Sequence, residues 1–116
     1  MLKFDEYQYL AKKTRAYPEY GQATIGAIAY CALGLAGEAG EVANKIKKLL
    51  RDGDTPELRI KIQDEIGDVL WYAAILCDEL HVDFSTVANN NLRKLDDRKR
   101  NATIKGEGDD RQWQRP

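Results

Sequence analysis

The sequence predicts an all-α protein, a small bundle of four main helices. Three observations carry that prediction. Apolar residues recur at spacings of three and four along most of the chain, and no strand-like alternation persists. Breakers fall between the periodic stretches, at Pro18 and Gly21, at Gly53 and Pro56, and around His81. The 116 residues, 43% hydrophobic and 32% charged, suit one domain with a modest core and argue against disorder over most of the length.

The first helix is expected over Phe4 to Ala16, with Phe4, Tyr7, Leu10 and Ala11 as its apolar stripe. Pro18, which lacks an amide donor, and Gly21 break it. The second runs from Thr24 or Ile25 to Arg51 and stops at Gly53. It carries Gly34, Gly37 and Gly40 at three-residue spacing, each costing about 1 kcal/mol against alanine in a helix interior. Close approach of another backbone is the expected compensation; a kink, or a start near Ala32, is the alternative. Thr55 caps the third helix, Pro56 suits its first turn and Glu57 favours the positive end of its dipole. That helix extends to about Leu80. The fourth covers Ser85 to Arg100, with Phe84, Val87, Ala88, Leu92 and Leu95 facing inward. The domain is thus 1–100. The polar tail, Asn101 to Pro116, is expected to be extended or disordered unless a ligand or partner orders it. So small a helical unit with long apolar faces is expected to complete its core by dimerisation.

A net charge of -1 gives no global field toward nucleic acid or acidic membranes. Cys31 and Cys77 fall in apolar helical stretches and read as reduced core cysteines. One histidine and no CxxC leave little basis for a zinc site. No signal peptide is visible, and no apolar run approaches the roughly 18 residues of a membrane span. A cytoplasmic protein is expected, with neither nucleic acid nor membrane as partner.

Four acids stand out: Glu38 and Glu41 on the second helix, Glu65 and Asp68 on the third. Residues three apart share a helical face. Glu38 shares its face with Leu35, Val42, Ile46 and Leu49, and Glu65 and Asp68 share theirs with Ile62, Val69, Tyr72 and Leu76. Acids on such faces need a cationic partner or a metal. Helices joined by a short turn are antiparallel, and 23 residues separate Glu41 from Glu65, so the two pairs should sit at similar height around one point. Read as ordinary surface charges they would need basic neighbours. Glu41 has Lys45 at i+4; Glu65 and Asp68 have no basic residue at i+3 or i+4. A hard divalent cation with oxygen ligands, Mg²⁺ in particular, would neutralise the group.

The segments Gly34-Leu35-Ala36-Gly37-Glu38-Ala39-Gly40-Glu41-Val42 and Asp64-Glu65-Ile66-Gly67-Asp68-Val69-Leu70-Trp71-Tyr72 resemble the MazG-like nucleotide pyrophosphohydrolases, of the all-α NTP pyrophosphatase superfamily. The family pattern is E-x-x-E, a spacer, then E-x-x-D. The later run from Asn91 to Arg98 looks like the family's N-x-x-K-L-x-x-R element, and Gly106 to Arg111 is similar to the ending of small stand-alone members. Gly37 stands where many members carry an additional glutamate.

The resemblance implies cleavage of nucleoside triphosphates between the α and β phosphates, giving a monophosphate and pyrophosphate. Glu38, Glu41, Glu65 and Asp68 would be catalytic metal ligands for Mg²⁺, with Mn²⁺ as a substitute. Asn91, Lys94 and Arg98 would meet phosphate or sugar. By position alone, Lys45 is a candidate for phosphate, for Glu41 or for solvent, and Trp71 and Tyr72 are candidates for stacking on the base or for core or subunit packing. Family members are dimers or tetramers. The rivals are hydrolysis of another pyrophosphate-containing nucleotide, and a nucleotide-binding regulator without turnover, which Gly37 alone favours.

Overall fold

The structure is a computed structural model that describes residues 1–101. The expectations for 102–116, including Gly106 to Arg111, lie outside the described residues. Four helices and no strand are present among them: α1 (Phe4–Lys12), α2 (Ile25–Asp52), α3 (Pro56–Glu79) and α4 (Phe84–Arg100). The predicted all-α class holds.

α2 and α3 form one long antiparallel hairpin. Thr24 starts α2 by accepting from the Ala27 amide at 3.1 Å, and Thr55 starts α3 by accepting from the Leu58 amide at 3.1 Å. Gly53, at φ 108°, donates its amide back to Leu49 and ends α2. The second helix runs unbroken from Ile25, so it does not start late. The hairpin is symmetric about Gly53. Glu38 and Asp68 each lie 15 residues from it, and Gly34 and Tyr72 each lie 19.

α1 ends at Lys12, four residues before the expected end. Side chains take over its last carbonyls. Thr14 Oγ1 donates to the Ala11 oxygen at 2.7 Å and Arg15 Nε to the Lys12 oxygen at 3.2 Å. Its expected apolar stripe is only partly buried: Ala11 is covered, while Phe4 and Leu10 stay half exposed. The buried polar residue Gln8 does what the stripe does not. Its amide nitrogen donates to the carbonyls of Ala74 and Val82, and its oxygen accepts from the Phe84 amide at 3.1 Å. One side chain thus ties α1 to the end of α3 and the start of α4. Asp5 adds two hydrogen bonds from Ser85.

The core sits at this closed end. Ala11, Tyr17, Ala27, Cys31 and Ile75 form one cluster, and Ala74, Cys77 and Phe84 another. Cys31 and Cys77 are free and buried, as expected. The carboxylate of Glu79, 2% exposed, closes the 17–23 turn. It accepts from the Tyr17 hydroxyl and from the amides of Gly21 at 2.8 Å and Ala23 at 2.9 Å, with Arg15 at 3.8 Å. Glu19, Gly21 and Ala23 all have positive φ there, so the carboxylate holds a backbone that would otherwise relax.

Beyond the closed end the hairpin stands almost alone. No residue from 32 to 73 is buried. α4 packs on α1 and α3 but has no contact with α2. Val87, Leu92 and Leu95 therefore stay exposed instead of facing inward, because the described residues offer no second layer to receive them. α2 also corrects the expectation about apolar runs. With a mean hydropathy of 1.2 over its best window, it is long and apolar enough to cross a membrane by composition, a test that a helix packed against protein passes too.

Candidate metal centre

Three of the four predicted acids converge. Carboxylate oxygens of Glu38, Glu65 and Asp68 all lie within 4.8 Å of one another, Glu38 and Glu65 half-buried and Asp68 exposed. Antiparallel pairing about Gly53 is what brings them together across the hairpin. Glu41 stands outside this tight group. Its carboxylate is half exposed and lies 3.7 Å from Lys45. None of the four acids is fully buried, and Glu65 also lines an open groove.

The electrostatics follow from the crowding. Glu38 shares a hydrogen bond with Glu65, and this raises the Glu38 carboxyl above its ordinary value; burial and the charges of Asp68, Glu65 and Glu41 act in the same direction. Glu65 moves the other way, held below the ordinary range by the Lys45 hydrogen bond and then by Glu38. Lys45 Nζ is 2.9 Å from Glu65 Oε1, and the same bond holds the ammonium above its usual range. Sequence reasoning paired Lys45 with Glu41 alone and missed this cross-helix partner. The signal was available: in a hairpin symmetric about Gly53, a lysine one turn past Glu41 reaches the level of Glu65.

A groove of about 410 Å³ continues from Glu65 toward the hairpin turn, lined by Lys45, Lys48, Leu58, Lys61, Asp64 and Glu65. Lys61 is a basic residue beside the acids that the sequence did not single out. On the other side of the acids, the Tyr72 ring lies over Gly34, where an added Cβ would run into it. The compensation for this glycine is therefore a side chain, not a backbone. Gly37 and Gly40 have nothing within 4 Å of such a Cβ among the described residues, so close approach does not explain them. Burial raises the Tyr72 hydroxyl, and its nearness to Tyr30 and Glu38 adds to the shift.

The remaining predicted contacts are dispersed. Trp71 donates its indole N–H to Thr14 Oγ1 at 2.8 Å and meets Tyr72 edge to face at 5.0 Å, so it ties α3 to the turn after α1. On α4, Asn91 is exposed, Lys94 half-buried and Arg98 buried. The backbone of that helix packs on α3, which carries Glu65 and Asp68, and not on α2, which carries Glu38 and Glu41.

The central hairpin carries Glu-x-x-Glu opposite Glu-x-x-Asp, and three of these acids together offer oxygen ligands of the kind a hard cation takes. Residues 29–103 match the MazG nucleotide pyrophosphohydrolase domain, and the chain belongs to that family. It is also 49% identical over 111 residues to the Gene 37 protein of Mycobacterium phage L5, covering 92% of this chain and 97% of that protein. No solved structure matches it.

The donor set fits the cation that the family implies. All three converging groups are hard carboxylate oxygens, and neither cysteine nor the histidine is among them.

Proposed function

We propose that the protein hydrolyses nucleoside triphosphates, ribo- or deoxyribo-, to the monophosphate and pyrophosphate in a Mg²⁺-dependent reaction, clearing surplus or non-standard nucleotides from the cytoplasm. The observation that carries this reading is the convergence of Glu38, Glu65 and Asp68 within 4.8 Å, in a chain of the nucleotide pyrophosphohydrolase family. Those three residues, with Glu41, would hold Mg²⁺, or Mn²⁺ in its place. When bound, the ion would neutralise phosphate charge and lower the pKa of a coordinated water.

The chain supplies the rest. The groove on the turn side of the acids presents Lys45, Lys48 and Lys61 to a polyphosphate. On the far side, Tyr72 over Gly34 offers an aromatic surface for the base. Asn91, Lys94 and Arg98 would contribute to phosphate or sugar binding. The protein acts as a homodimer or homotetramer, because the hairpin from 32 to 73 buries no residue and leaves Leu33, Leu50, Ile60 and Ile66 more than half exposed.

Phosphorus NMR with a panel of triphosphates, with and without Mg²⁺, tests the reaction. Metal-dependent monophosphate plus pyrophosphate is expected. Glu38→Gln should lose turnover by about a thousandfold, about 4 kcal/mol of transition-state stabilisation, while keeping the helical circular dichroism. Diphosphate plus orthophosphate as products would refute the proposed bond cleavage.

A further inference from the structure

Lys45 links the two acidic pairs. Its ammonium bridges Glu65, at 2.9 Å, and Glu41, at 3.7 Å. These two residues stand on opposite helices, and each belongs to one of the two acidic pairs. The lysine side chain is only 18% exposed, so it lies in the groove instead of extending into solvent. Lys45 thus places one positive charge between the two acidic pairs, and Glu38 and Glu65 share a hydrogen bond beside it.

The geometry points to Lys45 as an internal counter-ion that occupies the carboxylates in the metal-free protein and is displaced when a divalent cation takes them. This rests on the metal-site reading above and goes beyond it. The lysine is then a competitor of the metal, not merely a neighbour. An ammonium at 2.9 Å from Glu65 Oε1 uses a lone pair that a cation would need, and its charge opposes the approach of a second positive charge. Two consequences follow. The metal-free hairpin is protected from the repulsion of its own acids. Metal binding also frees the ammonium beside the groove that holds Lys48 and Lys61, where it becomes available to an incoming phosphate.

Calorimetric titration with MnCl₂ alone tests this on the full chain in four forms: wild type, Lys45→Met, Lys45→Arg and Glu38→Gln. Removing an ion pair of this partly exposed kind should tighten Mn²⁺ binding by about three- to fivefold in Lys45→Met. Lys45→Arg keeps the charge and should stay near wild type. The melting temperature of metal-free Lys45→Met should fall below that of wild type, and saturating Mn²⁺ should close the gap. In wild type, amine-specific labelling read by mass spectrometry should show Lys45 gaining reactivity on Mn²⁺ addition while Lys47 does not. Equal or weaker Mn²⁺ affinity in Lys45→Met, with normal binding by wild type and loss in Glu38→Gln, would overturn the exchange and leave the metal site standing. Absence of Mn²⁺ binding in wild type would overturn both.

Discussion

The two ends of the α2–α3 hairpin are built on opposite principles. At the closed end, the buried polar side chains of Gln8 and Glu79 each have several partners. Glu79 has four, counting Arg15, and Gln8 makes three hydrogen bonds, two given and one accepted. At the open end, from 32 to 73, nothing is buried, and like charges are crowded together with one lysine between them. The closed end secures the helices. The open end spends that security on a charge arrangement no stable core would choose, as sites that bind highly charged ligands do. The difference also shows what one chain lacks. Among the described residues the two helices have no second layer, and the apolar residues of the open end stay exposed.

Glu79→Ala should produce the largest change in stability. It leaves the Tyr17 hydroxyl and the amides of Gly21 and Ala23 without their acceptor, at a cost of about 3–5 kcal/mol, while Arg15 keeps its 2.7 Å bond to Asp78. Burial pushes the Glu79 carboxyl up, but the bonds from Tyr17, Gly21 and Ala23 and the charge of Arg15 outweigh it and hold the group below its ordinary value. A depressed folded-state pKa gives stability that is fully present above the unfolded value and is lost as pH falls through the folded one. Melting curves of wild type and Glu79→Gln should therefore lie apart at neutral pH and draw together on acidification from about pH 5 downward. A gap that persists to low pH would remove the carboxylate charge from the account of the closed end.

Next in size is the apolar surface of the open end. Leu50 is 78% exposed and Ile60 58% exposed. If a second copy covers them, Leu50→Asp with Ile60→Asp should weaken association by about 30- to 100-fold, seen by sedimentation at micromolar concentration. An unchanged sedimentation profile would place the subunit contact elsewhere and leave these side chains solvated. The monomer's melting temperature should hardly move, because neither residue belongs to the closed-end core.

How much of this was legible beforehand differs between the ends. The helix starts at Thr24 and Thr55, the stop at Gly53 and the convergence of Glu38, Glu65 and Asp68 all followed from local chemistry and the 3.6-residue period. Gln8 and Glu79 did not, since periodicity marks apolar faces and says nothing about a polar residue buried because distant backbone groups need it. Val87, Leu92 and Leu95 were assigned inward for the converse reason. The pattern records a face that is apolar, and among the described residues nothing covers it. Sequence also gave no means of telling Gly34 from Gly37 and Gly40.

Those glycines give a smaller test on the same helix. Gly34→Ala drives a methyl into the Tyr72 ring and should destabilise by about 1–3 kcal/mol, an effect that Tyr72→Leu in the same chain should largely remove. A Gly34→Ala protein as stable as wild type would mean that the ring moves aside freely, and the aromatic surface beside the acids would then be no fixed feature of the groove.

The smallest expected effect has the opposite sign. Gly37 and Gly40 meet nothing within 4 Å among the described residues, so alanine at either should gain the ordinary helix preference, about 0.5–1 kcal/mol of added stability by thermal melting. That gain belongs to the isolated hairpin. Should Gly37→Ala instead lower the melting temperature, and lower it most at concentrations where the protein self-associates, a second chain must approach the backbone there. The close approach expected of all three glycines would then be restored between copies, and the open end would be open only in the single chain.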